Sequence, residues 1–155
     1  MSAVPERGEV TIESLTQDHL DEILEIERLS YRFPWTPGVF AECLRVGYCL
    51  RGVWCGQRLA GYCVMSVGAG EAHILNLCVD PGYRRCGLAQ QLLEHMLVLA
   101  TRLGAHSVLL EVRPSNRAAR ALYRAMDFRH VGTRTGYYPD QEGREDAWIL
   151  ERPLQ

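Results

Sequence analysis

Residues Asn76 to Ala89 read Asn-Leu-Cys-Val-Asp-Pro-Gly-Tyr-Arg-Arg-Cys-Gly-Leu-Ala, and a leucine-rich helix is predicted directly after them, over Gln90–Leu103. An apolar strand, a tight turn and a basic loop that opens into a helix N-terminus gather unpaired backbone N–H groups at one place. Such a place holds an anion, and a pyrophosphate fits it well. Gly87 and Ala89 lack bulk, so a diphosphate can lie against their amides, while Arg84 and Arg85 add fixed positive charge. A second cluster is Leu110-Glu111-Val112-Arg113-Pro114-Ser115-Asn116, followed by Ala121-Leu122-Tyr123. Glu111 lies in an otherwise apolar strand, where a carboxylate is costly unless it is paired or solvated in a cleft. Asn116 and Tyr123 are seven residues apart on a predicted helix, hence on one face and about 10 Å apart along its axis. A long, thin ligand could touch both.

The elements that must position these residues follow from hydrophobic period and turn chemistry. Val10, Ile12 and Leu15 predict a first strand after a loose start over residues 1–8, and Thr16 is placed to cap a helix carrying Leu20, Ile23, Leu24, Ile26 and Leu29. Thr36-Pro37 supplies a cap and a first-turn proline for a second short helix to about Arg45. Tyr48–Trp54 and Leu59–Val67 read as paired strands around Gly56-Gln57, and Ala72–Val79 as a third central strand. Gly104 should end the leucine-rich helix in a left-handed conformation. Ser107–Val112 is then a buried strand, Asn116–Met126 a helix, and Phe128–Thr135 with Glu145–Glu151 a closing pair of strands. The expectation is one α/β domain over residues 9–155, a mixed central sheet flanked by helices.

Composition limits the chemistry. The chain of 155 residues is long enough for one domain with a real core and too short for two ordinary ones. A net charge of −2 argues against a general nucleic-acid binder, though it leaves room for a basic protein or peptide as substrate. All seventeen basic residues are arginine. Schiff-base lysines, aldimine cofactors and lysine-bearing P-loops are thereby excluded. The six cysteines Cys43, Cys49, Cys55, Cys63, Cys78 and Cys86 form no Cys-x-x-Cys pair, and several sit in strand-like apolar runs, so free thiols packed as small hydrophobes are expected. No secretory leader or bilayer-spanning run is apparent, which points to the cytoplasm. The five histidines lack metal-ligand spacing, so no metal is expected.

The spacing Arg84-x-x-Gly87-x-Ala89 resembles the acetyl-coenzyme A signature of the GCN5-related N-acetyltransferases (the GNAT family). The run Leu110–Asn116 with Ala121-Leu122-Tyr123, Phe33-Pro34-Trp35, Tyr137-Tyr138-Pro139 and Gly143–Ala147 narrow the likeness to the family's bacterial ribosomal-protein-alanine branch, and it covers nearly the whole chain from Val10 onward. The resemblance implies direct acetyl transfer from acetyl-CoA to the N-terminal alanine α-amine of the eighteenth small-subunit ribosomal protein. It implies Glu111 as general base and Tyr123 as general acid. It also implies Leu77, Cys78 and Val79 at the acetyl end of the co-substrate, Arg84, Arg85, Cys86, Gly87, Leu88 and Ala89 around the pyrophosphate, and Asn116 as a further coenzyme contact. A monomer without membrane or direct nucleic-acid binding is expected.

Other readings stand beside this one. Glu111 could be a structural carboxylate bonded to Arg113 or another arginine, and Tyr123 a core tyrosine. Phe33, Trp35, Tyr137 and Tyr138 could pack or could meet the acceptor. Cys86 has no histidine beside it in sequence, and direct transfer needs no thiol. An arginine-rich acceptor calls for an acidic groove, for which Glu22, Glu25, Glu27 and Glu71 are candidates, although a solvated helix face accounts for the first three equally well. Asp127 stands where such folds commonly place glycine, and aspartate tolerates the left-handed conformation there. The alternative functions are a small-molecule amine acetyltransferase and a non-catalytic acyl-CoA-binding subunit.

Overall fold

The structure, a computed structural model, describes residues 9–154, so the expected loose start over residues 1–8 lies outside the described residues. Seven strands form one sheet: β1 (Val10–Ser14), β2 (Cys49–Cys55), β3 (Arg58–Gly68), β4 (Glu71–Val79), β5 (Ser107–Val112), β6 (Arg129–Asp140) and β7 (Gly143–Pro153). Their order is β1-β2-β3-β4-β5-β7-β6. β4 and β5 are parallel, and the other neighbouring strands pair antiparallel. The helices are α1 (Leu20–Ser30), α2 (Pro37–Arg45), α3 (Leu88–Arg102) and α4 (Arg117–Ala125). The expected α/β class with a mixed sheet is what the chain adopts.

Two cores sandwich the sheet. On one side Leu92, Leu93 and Met96 of α3, all fully buried, pack on Val53, Met65, Ala72, Ile74, Val108 and Leu110. Burial of each such side chain stabilises the fold by roughly 1.5–3 kcal/mol. On the other side Ile23 and Ile26 of α1 and Phe40 of α2 close over Leu50, Tyr62, Val64 and Cys78. All six cysteines are free, as expected, and Cys63 is fully buried.

The local signals act as their chemistry predicts. Thr16 caps a 3-10 turn (Gln17–His19) that leads into α1, and Thr36 accepts from the Val39 N–H at the start of α2. Gly104 takes φ +87 and Asp127 φ +66, so the aspartate fills a left-handed helix end. Two elements depart from expectation. α3 begins at Leu88, two residues earlier than predicted, because Gly87 itself supplies the left-handed entry. The C-terminal strands run on to a turn at Gln141-Glu142, making a hairpin much longer than predicted. Its extension is mostly exposed, so no apolar alternation announces it.

Two features of β4 shape the site. Pairing with β5 stops at Ile74↔Leu110, so the strands part beyond that point. Between Ile74 and Asn76 the register with β3 also slips by one residue. An extra residue in an extended strand swaps its faces. Ala72 and Ile74 therefore face the α3 core, and after the slip Leu77 and Val79 do so, while Leu75 and Cys78 face α1 and α2.

Candidate active site

The parting of β4 from β5 leaves two clefts that share Tyr31, Leu77, Asn116, Ala119 and Tyr123. The first, about 730 Å³, runs from Leu77, Cys78 and Val79 along the loop Tyr83–Gly87 to the start of α3. The second, about 440 Å³, lies between the α1–α2 linker and the tip of the β6–β7 hairpin, with Glu111 in its wall.

The first cleft is built from its turn outward. Asp80, buried, receives the Gly82 N–H on Oδ1 at 2.8 Å, while its own N–H donates to Ala60 at 2.7 Å. The loop is thereby pinned to β3. Arg85 (φ +64) and Gly87 (φ +74) then take left-handed conformations in quick succession, a geometry that turns successive amides toward one point. Among the described residues no side chain caps α3, and no acidic residue lies in its first turn, which leaves the N–H groups there available to an anion. At Gly87 the requirement is the positive φ rather than space, since an added Cβ would meet nothing within 4 Å. The cleft also holds the Ser30 hydroxyl, a buried polar atom without a partner among the described residues. Cys86 is exposed, its thiol directed at the Arg84 carbonyl at 3.7 Å. This row of donors fits a diphosphate-bearing co-substrate.

At the junction, the Tyr31 hydroxyl lies 3.0 Å from the Leu77 carbonyl and 3.2 Å from Asn76 Oδ1. Within an extended strand the N–H and C=O of one residue point to the same side, so the Leu77 N–H also faces the opening where β5 has departed. Asn116 caps α4 by accepting the Ala119 N–H at 3.1 Å. About two turns further on, Tyr123 is 7% exposed and packs edge-on against Phe128. Its hydroxyl has no hydrogen-bond partner among the described residues, and the residue lines both clefts. Burial, with smaller contributions from Cys63 and Tyr138, holds its proton more tightly than an ordinary phenol does.

Glu111 does not pair with Arg113. Arg113 instead bonds Glu145 at 3.3 Å and lies 4.4 Å over the Tyr138 ring, and Glu145 also accepts from the N–H and hydroxyl of Ser115. These contacts tie the hairpin to the β5–α4 loop. Glu111 meets His73 Nε2 at 2.7 Å through Oε2 and Arg134 Nε at 3.5 Å through Oε1. The His73 hydrogen bond, assisted by charge and by Arg134 against the cost of burial, lowers the carboxyl below the usual range.

Of the four glutamates named as candidates for an acidic groove, Glu27 lines the second cleft and the other three do not. Glu27 is 1% exposed, and its carboxylate receives the Trp35 N–H at 2.7 Å, the Asn76 amide at 2.9 Å and the Tyr62 hydroxyl. Glu22 and Glu25 line a separate hollow with Arg58 and Asp80, and Glu71 opens β4 at its far end. Phe33, Trp35, Tyr137 and Tyr138 all line the second cleft. Sequence reasoning passed over Tyr31, His73, Asn76 and Arg134. The signal available was polar side chains beside two central strands, but the pairing that brings them together spans 38 residues or more for His73 and Tyr31. Among the described residues no three potential ligands gather into a metal site.

The profile of the acetyltransferase (GNAT) family matches residues 20–128. The chain belongs to the GNAT family of acetyltransferases. Within the family it is 37% identical over 144 residues to the [ribosomal protein bS18]-alanine N-acetyltransferase of Escherichia coli strain K12, covering 93% of this chain and 97% of that protein. The Salmonella typhimurium enzyme of the same name is 35% identical over the same shares. The crystal structure of the ribosomal-protein-S18-alanine N-acetyltransferase from Escherichia coli superposes with a TM-score of 0.89 at 36% identity, over 94% of each chain. The crystal structure of Arabidopsis thaliana NAA60 in complex with acetyl-CoA shares the fold at a TM-score of 0.84 and 19% identity, covering 94% of this chain and 98% of that one. Among the described residues no helix is long and apolar enough to cross a membrane.

Proposed function

We propose that this GNAT enzyme transfers the acetyl group of acetyl-CoA directly to the α-amine of the N-terminal alanine of the eighteenth small-subunit ribosomal protein. It would act in the cytoplasm as a monomer and without a metal. The observation that carries the reading is the meeting of two clefts at Leu77 and Tyr123, with an amide-lined loop along one and a recessed carboxylate in the other. In this reading Arg84, Arg85 and the amides of Cys86, Gly87, Leu88 and Ala89 hold the pyrophosphate. Asn116 contacts the pantetheine arm. The backbone of Leu77, Cys78 and Val79 aligns the acetyl end, and the Leu77 N–H polarises the thioester carbonyl.

Peptide α-amines have pKa values near ~8, so most are protonated at neutral pH and cannot attack. Glu111 takes that proton, directly or through a water, and leaves the nitrogen its electron pair. Tyr123, whose proton burial retains, supplies a proton to the departing sulfur. No cysteine enters the reaction; Cys63 is fully buried and its thiol pKa is raised, chiefly by that burial.

Tandem mass spectrometry of an Ala-Arg-starting ribosomal peptide incubated with enzyme and acetyl-CoA tests the proposal. A group added at the free α-amine, and absent from a blocked-terminus control, is expected. Product only from a panel of small amines would reassign the acceptor. Bound coenzyme without product in either arm would leave a binding subunit.

A further inference from the structure

We propose that His73 is a positioning residue for the transfer, one that holds Glu111 Oε2 by a hydrogen bond and leaves Oε1 to take the acceptor's proton. The inference rests on Glu111 being the base. His73 pairs in register with Leu109 across the parallel strands, and Ile74 with Leu110. Side-chain alternation then puts His73 and Glu111 on the side of the sheet opposite Ile74, Leu110 and Val112, which face the α3 core. The result is a 2.7 Å contact between Nε2 and Oε2, short enough for a charge-assisted hydrogen bond.

The two oxygens of Glu111 are not equivalent. Oε2 is committed to His73, whereas among the described residues Oε1 has only the Arg134 guanidinium at 3.5 Å, from a side chain that is 54% exposed. Oε1 is therefore the oxygen open to a water or an amine. The pair is also divided in its access to solvent. Glu111 is 12% exposed and lines the acceptor cleft, while His73 is 34% exposed and stands outside the lining.

Arg134 and Tyr138 from β6 face Glu111, and by strand register Glu71 of β4 and Glu151 of β7 share the sheet face of His73. In the chemical step the amine N–H bond breaks, an O–H bond forms at Oε1, the nitrogen keeps the pair, and His73 transfers no proton.

Two measurements test the proposal. In the first, the His73 ring N–H signals are compared by NMR in the unaltered protein and in Glu111→Gln, with His73→Gln used for assignment. A downfield, hydrogen-bonded N–H signal is expected in the unaltered protein and should move upfield or vanish in Glu111→Gln. A signal that is the same in both would overturn the contact whether or not any peptide is acetylated. In the second, kcat at saturating acetyl-CoA and acceptor is measured for His73→Ala and for His73→Gln, whose amide can still donate to Oε2. The alanine variant should lose about tenfold or more in kcat, and glutamine should restore most of that loss. Equal kcat in all three proteins, or a glutamine variant as slow as the alanine one while the fold and acetyl-CoA binding are intact, would overturn positioning by His73. Failure of the acceptor assignment would show differently, as absent peptide turnover in the unaltered enzyme; kcat is then read with the amine that is turned over.

Discussion

Glu27 and Asn76 meet at 2.9 Å in the interior, the amide of one donating to the carboxylate of the other. Asn76 in turn presents Oδ1 to the Tyr31 hydroxyl, so a buried carboxylate on α1 holds a tyrosine at the junction of the two clefts. All three groups that reach Glu27 are donors: the Trp35 N–H, the Tyr62 hydroxyl and the Asn76 amide. Glu27→Gln replaces one acceptor oxygen by a further donor and leaves at least one partner unmatched. A loss of roughly 1–3 kcal/mol is expected in denaturant unfolding. The α1–α2 linker, which Glu27 grips at Trp35, should also become easier to cleave in limited proteolysis.

Glu111→Gln should bind acetyl-CoA as before and turn over on the order of 10²–10⁴-fold more slowly at neutral pH. The deficit should narrow as pH rises past ~8, where more of the acceptor amine is already free. Undiminished turnover at pH 7 in stopped assays would remove Glu111 from the chemistry.

The same residue has a consequence for stability. Its pKa is lowered in the folded protein, chiefly by the His73 hydrogen bond. A carboxyl lowered on folding contributes stability that is fully present above its unfolded value, near ~4.3, and is lost as pH falls through the lower folded value. Thermal unfolding followed from pH 6 down to pH 3 should show the unaltered protein losing stability more steeply than Glu111→Gln. Parallel declines would mean the pair contributes little to the fold.

Tyr123→Phe separates chemistry from packing. The hydroxyl has no partner among the described residues, and the ring contact with Phe128 survives the change. The unfolding midpoint should therefore hold while kcat drops by on the order of 10²-fold. A variant with full kcat would reduce Tyr123 to a packing residue.

Gly61 tests how rigidly the end of β4 must be held. A Cβ at this position would lie 2.7 Å from the Cys78 carbonyl and 3.2 Å from Val79 Cα. Gly61→Ala must push β4 away from β3 where the acetyl end of the co-substrate is expected. Overpacking of this kind costs typically 1–3 kcal/mol. Calorimetric titration with acetyl-CoA should show weakened affinity in the same variant.

The parts of the fold that sequence made legible are those governed by neighbours along the chain. The leucines of α3, the caps at Thr16 and Thr36 and the left-handed ends at Gly104 and Asp127 depend on a few adjacent residues, and the chain folds there as its local chemistry dictates. Glu111 drew notice because a carboxylate in an apolar strand needs a reason. Its partner did not, since only the register His73↔Leu109 between β4 and β5 brings them together. Glu27 was harder still. On a helix with other acids it reads as part of a solvated face, and only the closing of α1 over Tyr62 and Asn76 buries it. The hairpin extension is exposed on most of its residues and carries no apolar period to read.

The one-residue slip in β4 has a bearing on traffic. Around it the sheet opens into two clefts that share Tyr31, Leu77 and Tyr123 in their walls. An enzyme with a single mouth must queue its reactants and let one product leave before the next molecule comes in. With a door for each reactant, the proposed direct transfer would have both guests inside when the group changes hands.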